Sequence, residues 1–176
     1  MKRRSVSSIF AVLLAGALLF ALETCRSSSG GSASGELIGR TDCKSSLSPA
    51  APGGAAKSVT AASRECVTYE YDGLGVLTLK HVDAGFNCCP GTISAAFTIS
   101  STEIRIRETE SSSLCDCECL FDLDYEFVNI RPGTYTIAIA GPYQVEGDAP
   151  LEFTVELTRA LSGSFCVERT IYPWSI

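Results

Sequence analysis

The stretch SSSLCDCECLFDLDYEF, residues 111–127, places Cys115, Cys117 and Cys119 at every second position. Three thiols this close could form a metal cage, a redox centre or a set of cross-links. Alternate residues of an extended strand lie about 6.6 to 6.8 Å apart on one face. Zinc held tetrahedrally by thiolates at about 2.3 Å needs sulfurs only about 3.8 Å apart. Cys115 and Cys119, about 13 Å apart along a strand, cannot share an ion, and His81 is the chain's single histidine, so no metal site is expected. A redox centre needs an accessible thiolate of depressed pKa. Here Asp116 and Glu118 flank the thiols, and their charge works the other way. The expected role is structural: the three sulfurs continue the inward stripe Phe121, Leu123, Tyr125 and Phe127, where bridges to other strands replace apolar packing. The rival function for the same residues is a thiol-disulfide or metal-dependent enzyme.

The chain has nine cysteines, at 25, 43, 66, 88, 89, 115, 117, 119 and 166. An odd count in an exported protein leaves one without a partner, and Cys25 has a separate fate available to it. Cys43, Cys66, Cys88, Cys89, Cys115, Cys117, Cys119 and Cys166 then make four bridges. Cys88 and Cys89, in FNCCPG, are the expected partners of at least two members of the run. Adjacent residues of a regular strand face opposite ways, so both reach the cluster only through an irregular turn at 87–91.

The compartment follows from the N-terminus. Lys2, Arg3 and Arg4 precede the apolar run from Ile9 to Leu22, which has the order of a secretory signal and is short for a bilayer span. Leu22-Glu23-Thr24-Cys25 followed by a Ser/Gly stretch resembles a bacterial lipoprotein signal. Cys25 would then be the acylated first residue, although Glu23 and Thr24 depart from the usual small residues. Residues 1–24 are therefore read as signal peptide and 25–64, rich in Ser, Gly, Ala and Pro, as a flexible tether too poor in apolar surface to fold. Charge divides along the chain: residues 1–65 carry eight Lys or Arg against four Asp or Glu, and residues 66–176 carry six against sixteen. So acidic a domain repels phosphate backbones, which argues against nucleic acid as a partner.

The elements that must position the cysteines are strands. From Cys66 onward, runs rich in Val, Ile, Thr, Tyr and Phe alternate with turn signals such as Asp72-Gly73, Pro90-Gly91 and Pro132-Gly133. Strands are predicted over 66–71, 75–82, 92–100, 103–109, 115–128, 134–140, 151–158 and 165–170. Eight short strands predict an all-β, antiparallel, immunoglobulin-like β-sandwich over 65–176, stapled by disulfides. A turn at Ser101-Thr102 pairs Ile99 with Ile104 and Phe97 with Ile106. A second hairpin over Ser111–Ser113 would pair Arg107 with Asp116 and Arg105 with Glu118 outward, and Ile106 with Cys117 and Ile104 with Cys119 inward. Tyr135, in the NIRPGTYT stretch, is the candidate for a corner tyrosine whose hydroxyl bonds back to the backbone.

The other candidates have bland readings. Asp116, Glu118, Asp122, Asp124 and Glu126 form an acidic stripe; Asp122 and Asp124 could suggest calcium, but they repeat along a strand instead of converging from a loop, so a solvated face is expected. His81 lacks a nucleophile beside it and is read as a strand histidine, partly buried. Trp174 is read as terminal packing. The segments AGFNCCPG, LCDCECLFDLDYE, PGTYT, LEFTVEL and SFCVERTIYPW, over about 84–176, resemble a group of secreted or lipid-anchored, cysteine-rich bacterial β-sandwich proteins without an assigned activity. That resemblance implies compartment and fold only. The expected function is an envelope or surface module, anchored at the membrane through Cys25 or, if the signal is cleaved in the ordinary way after Ala21 or Ala33, secreted, with a structural or protein- or glycan-binding role and no cofactor.

Overall fold

The computed structural model describes residues 31–44, 46–47, 64–144 and 146–169; Cys25, the signal segment, residues 48–63 and Trp174 lie outside them. Ten strands follow in order: β1 (Ser34–Arg40), β2 (Ser46–Leu47), β3 (Arg64–Tyr71), β4 (Leu77–Asn87), β5 (Ile93–Ile99), β6 (Glu103–Glu110), β7 (Glu118–Val128), β8 (Gly133–Ala140), β9 (Leu151–Leu157) and β10 (Leu161–Glu168). One sheet has the order β1-β7-β4-β3-β10, with β2 also on β7; the other has β5-β6-β8-β9. This is the all-β, disulfide-stapled, immunoglobulin-like sandwich expected. One feature departs from a purely antiparallel arrangement: β6 and β8 run parallel, Glu103–Arg107 beside Thr136–Ala140.

The alternation of apolar and polar residues sets the register. In β7, Phe121, Leu123, Tyr125 and Phe127 are all buried, and the acidic residues between them face outward. The β5–β6 hairpin pairs Phe97 with Ile106 and Ile99 with Ile104, as the sequence predicts. Aromatic rings close both flanks of the core. Phe97 meets Tyr125 and Phe127 edge-on at 5.9 and 5.4 Å, while Phe153 stacks between Tyr69 and Phe165 at 5.5 and 5.2 Å.

Three expectations are corrected. The tether expected over 25–64 is interrupted by β1, which pairs with β7 from Ser34↔Val128 to Arg40↔Leu123. Its glycines disguise it: a Cβ on Gly35 would stand 2.5 Å from the Phe127 ring and 3.1 Å from Phe97, so glycine is what lets this backbone lie against the rings. The strand expected over 75–82 runs on to Asn87. Between His81 and Ala84 a β-bulge adds one residue opposite β7, with Asp83 at φ 65°, so the inward set changes from Leu77, Leu79 and His81 to Ala84 and Phe86.

The third correction is the hairpin expected over Ser111–Ser113. β6 lies between β5 and β8, and β7 lies in the opposite sheet beside β1 and β4. Arg107 and Arg105 therefore do not pair with Asp116 and Glu118, nor Ile106 and Ile104 with Cys117 and Cys119. Arg105 instead meets Glu103 at 2.6 Å. The match of outward charges and inward apolar groups arose because both strands alternate in phase, which fixes a face and leaves the neighbour undetermined.

Candidate functional site

The cysteine run lies where the chain crosses from β6 to β7. Cys115 and Cys117 precede the strand, and Cys119 is fully buried within it. Four bridges consume all eight cysteines of the described residues: Cys43–Cys119, Cys66–Cys166, Cys88–Cys117 and Cys89–Cys115. Cys88 and Cys89 each take one member of the run, and Cys119 turns to the N-terminal segment.

Asn87 organises the irregular turn that makes this possible. Its Oδ1 accepts from the amides of Cys89 and Cys115 at 2.8 and 3.3 Å, and its Nδ2 donates to the Cys115 carbonyl at 2.6 Å. The Cys88 amide donates to the Cys117 carbonyl at 3.1 Å. Gly91, at φ 62°, lets the chain turn beneath Ser111 and Ser112, whose hydroxyls leave no room for a Cβ.

A second constellation was only partly visible in the sequence. His81 on β4, 1 % exposed, lies between two buried carboxylates, with Nε2 2.7 Å from Glu65 on β3 and Nδ1 2.7 Å from Glu108 on β6. Glu108 Oε1 also accepts the Tyr125 hydroxyl at 2.6 Å. Glu65 Oε2 accepts Arg169 Nε at 2.6 Å, and Arg169 Nη1 reaches the Ala149 carbonyl at 2.5 Å. Burial alone would lower the His81 pKa, but the charges and hydrogen bonds of Glu108 and Glu65 outweigh it and push the imidazole up to about 10. Burial likewise raises the Glu65 carboxyl, yet His81 and Arg169 overcome this and hold it below the usual carboxylate range. Burial and the Glu108 carboxylate push the Tyr125 phenol up. Glu65 and Glu108 thus face one imidazolium and one guanidinium, with Asp148 3.9 Å from Arg169 at the margin. Because Glu108 lies in the opposite sheet, the chain of contacts ties the two layers together.

The sequence predicts a partly buried strand histidine at 81; the structure buries it fully, between two carboxylates. Glu65, Glu108 and Arg169 were missed, although each occupies an inward position of its alternation: Glu108 after Ile104 and Ile106, Glu65 before Val67, Arg169 after Val167. A charged residue in phase with a buried stripe was the available signal.

The remaining candidates are placed as follows. The Tyr135 hydroxyl donates to the Arg131 carbonyl at 3.0 Å, bonding back to its own corner. In the acidic stripe, Asp122 takes Lys44 at 2.6 Å and Asp124 takes Lys80 at 2.8 Å. Across the outer face of the six-stranded sheet, a shallow groove of about 690 Å³ is lined by Thr68, Thr78, Lys80, Asp124, Ser162 and Ser164. Among the described residues no group of three or more His, Cys, Asp or Glu is placed to hold a metal ion. No family model, no curated protein and no solved structure matches the chain.

Proposed function

We propose that the protein is an exported, lipid-anchored bacterial envelope module with a structural or protein- or glycan-binding role. The observation that carries this reading is the pairing of all eight described cysteines in four bridges, the pattern of an oxidising compartment. The basic and apolar N-terminus and the position of Cys25 support export and anchoring. The hydroxyl-lined groove supports binding, since Ser and Thr offer donors and acceptors to a glycan or peptide. The rival thiol or metal enzyme is disfavoured because Cys115, Cys117 and Cys119 are each bridged to a different partner. His81 offers a general base little opportunity, being sealed from solvent and already protonated.

Intact mass of the protein isolated from a bacterial envelope, with alkylation before reduction, tests this. The expected result is no alkylated thiol and a chain beginning at a lipid-bearing Cys25. Two or more alkylated cysteines would restore the thiol enzyme, and an unmodified internal Cys25 would remove the anchor.

A further inference from the structure

The sandwich has two unlike ends, and the N-terminus enters at one of them. Gly31 to Ala33 lie against Asn129, whose Nδ2 donates to the Ser32 carbonyl at 3.3 Å. Beside Asn129, the Ile130 amide donates to the Gly75 carbonyl at 3.0 Å, which brings the β3–β4 turn to this end. The β9–β10 turn is there too, since a Cβ on Gly73 would stand 2.7 Å from the Ala160 amide nitrogen. The β5–β6 turn completes the tip: Ser100 and Ser101 share a cleft with Gly31, Ser32 and Arg131.

This tip presents Leu74, 92 % exposed, the most exposed large apolar side chain described. Arg131 and Arg159 are exposed beside it, with no acidic partner among the described residues. Asp72 is the single acid in these loops, and its Oδ1 is occupied by the amides of Leu74, Gly75 and Val76 at 2.7, 2.9 and 2.9 Å. The nearest strand acids are Glu103, the first residue of β6, which is held by Arg105 at 2.6 Å, and Glu70, exposed one residue before the end of β3; Glu36, Glu126 and Glu156 lie further along their strands. The opposite end carries Asp42, Asp116, Glu146 and Asp148 in its loops; of its cations, Lys44 is held by Asp83 and Asp122, Arg169 by Glu65 and Asp148 and Arg64 by Glu168, while Arg40 lies over the Phe121 ring.

We infer that the tip formed by the turns around Leu74, Ser101, Arg131 and Arg159 rests on the anionic lipid surface to which Cys25 is attached. The inference deepens the proposed function and rests on its lipid anchor. Five residues separate Cys25 from Gly31, six Cα–Cα steps that reach at most about 22 Å, whereas the eleven residues of β4 put the opposite end on the order of 35 Å further away. Leu74 supplies an apolar contact, and the two free arginines meet anionic headgroups. The acidic, stapled end points outward.

The test uses the lipid-bearing chain, its Cys25 modification and four bridges verified by mass, in vesicles of phosphatidylcholine and phosphatidylglycerol containing brominated lipid. With Trp174→Phe as background, Leu74→Trp and Leu114→Trp place a single reporter at the two ends; Leu114 is 83 % exposed, so both sites tolerate the change. Quenching and a blue shift are expected for Leu74→Trp and neither for Leu114→Trp. Adding Arg131→Glu and Arg159→Glu to Leu74→Trp is expected to reduce quenching by roughly half or more. Equal quenching at both ends, or quenching at Leu114→Trp alone, overturns the orientation and leaves the anchor standing. Absence of lipid on Cys25 overturns both.

Discussion

The two ends of the sandwich are held by different chemistry. At the end away from the N-terminus, three bridges, Cys43–Cys119, Cys88–Cys117 and Cys89–Cys115, gather around the start of β7, and Cys66–Cys166 lies between the matching ends of β3 and β10. The His81, Glu65, Glu108 and Arg169 contacts sit in the same half. At the N-terminal end there is neither a bridge nor a buried charge among the described residues. Short turns close the strands there, Tyr71 donates to the Ile130 carbonyl at 3.1 Å, and Tyr135 closes its corner. The difference follows from the connections. The stapled end must accommodate the bulge at Asp83, the turn at 87–91 and the crossing at 111–117, where ladder hydrogen bonds lapse. There covalent and ionic links replace the ladder.

Removing a charge from the buried chain is expected to have the largest effect. His81→Ala leaves Glu65 with Arg169 alone and Glu108 buried without a counter-charge, and should cost about 3 to 5 kcal/mol, read from urea unfolding without reductant. Losing less than an exposed ion pair contributes would show that this half owes its stability to the bridges alone. Next come the bridges: Cys66→Ala with Cys166→Ala opens a separation of 100 residues and should cost about 4 kcal/mol. Cys89→Ala with Cys115→Ala should cost less, since Cys88–Cys117 closes nearly the same loop.

A pH series sharpens the ionic half of the comparison. His81 titrates near 10 when folded against 6.5 ordinarily, so the folded state binds the proton more tightly. Its contribution is complete below about pH 6.5 and is lost as pH rises through about 10. Glu65, held low, contributes above the ordinary carboxylate range and loses that contribution in acid. Melting temperatures should fall on both sides of a mildly acidic maximum, and a profile flat from pH 7 to 10 would contradict the ionised His81. At the other end, Tyr71→Phe or Tyr135→Phe should each cost only about 1 kcal/mol in the same urea assay. A loss at either tyrosine equal to that at His81 would erase the contrast between the ends.

How much of this was legible depended on whether a strand used side chains or backbone to pack. β7 and the β5–β6 hairpin could be read because Phe121, Leu123, Tyr125, Phe97 and Ile106 announce their faces. β1 could not, because Gly35 occupies an inward position where its contribution is the absence of a side chain, and the register shift between Leu37 and Gly39 breaks the alternation. Similarly, the second half of β4 was lost because the bulge shifts the alternation by one residue. The partnership of Cys88 and Cys89 with the 115–119 run was accessible from the geometry of adjacent residues. The pairing of Cys43 with Cys119 was not, since no strand ahead of β3 could be recognised. Long-range order across sheets, above all the placement of β6 beside β8, depends on the whole topology and leaves no local mark.

The attachment of β1 to β7 also defines how the molecule bears load. A pull on the chain ahead of Ser34 runs along β1, whose hydrogen bonds to β7 lie across that direction and are strained together in shear. If those bonds yield, extension stops at Cys43, which is covalently joined to Cys119 near the start of β7. Tension then passes into an interior strand flanked by β4. The fold can therefore surrender β1 under force and retain its core, a mechanical fuse with a covalent stop.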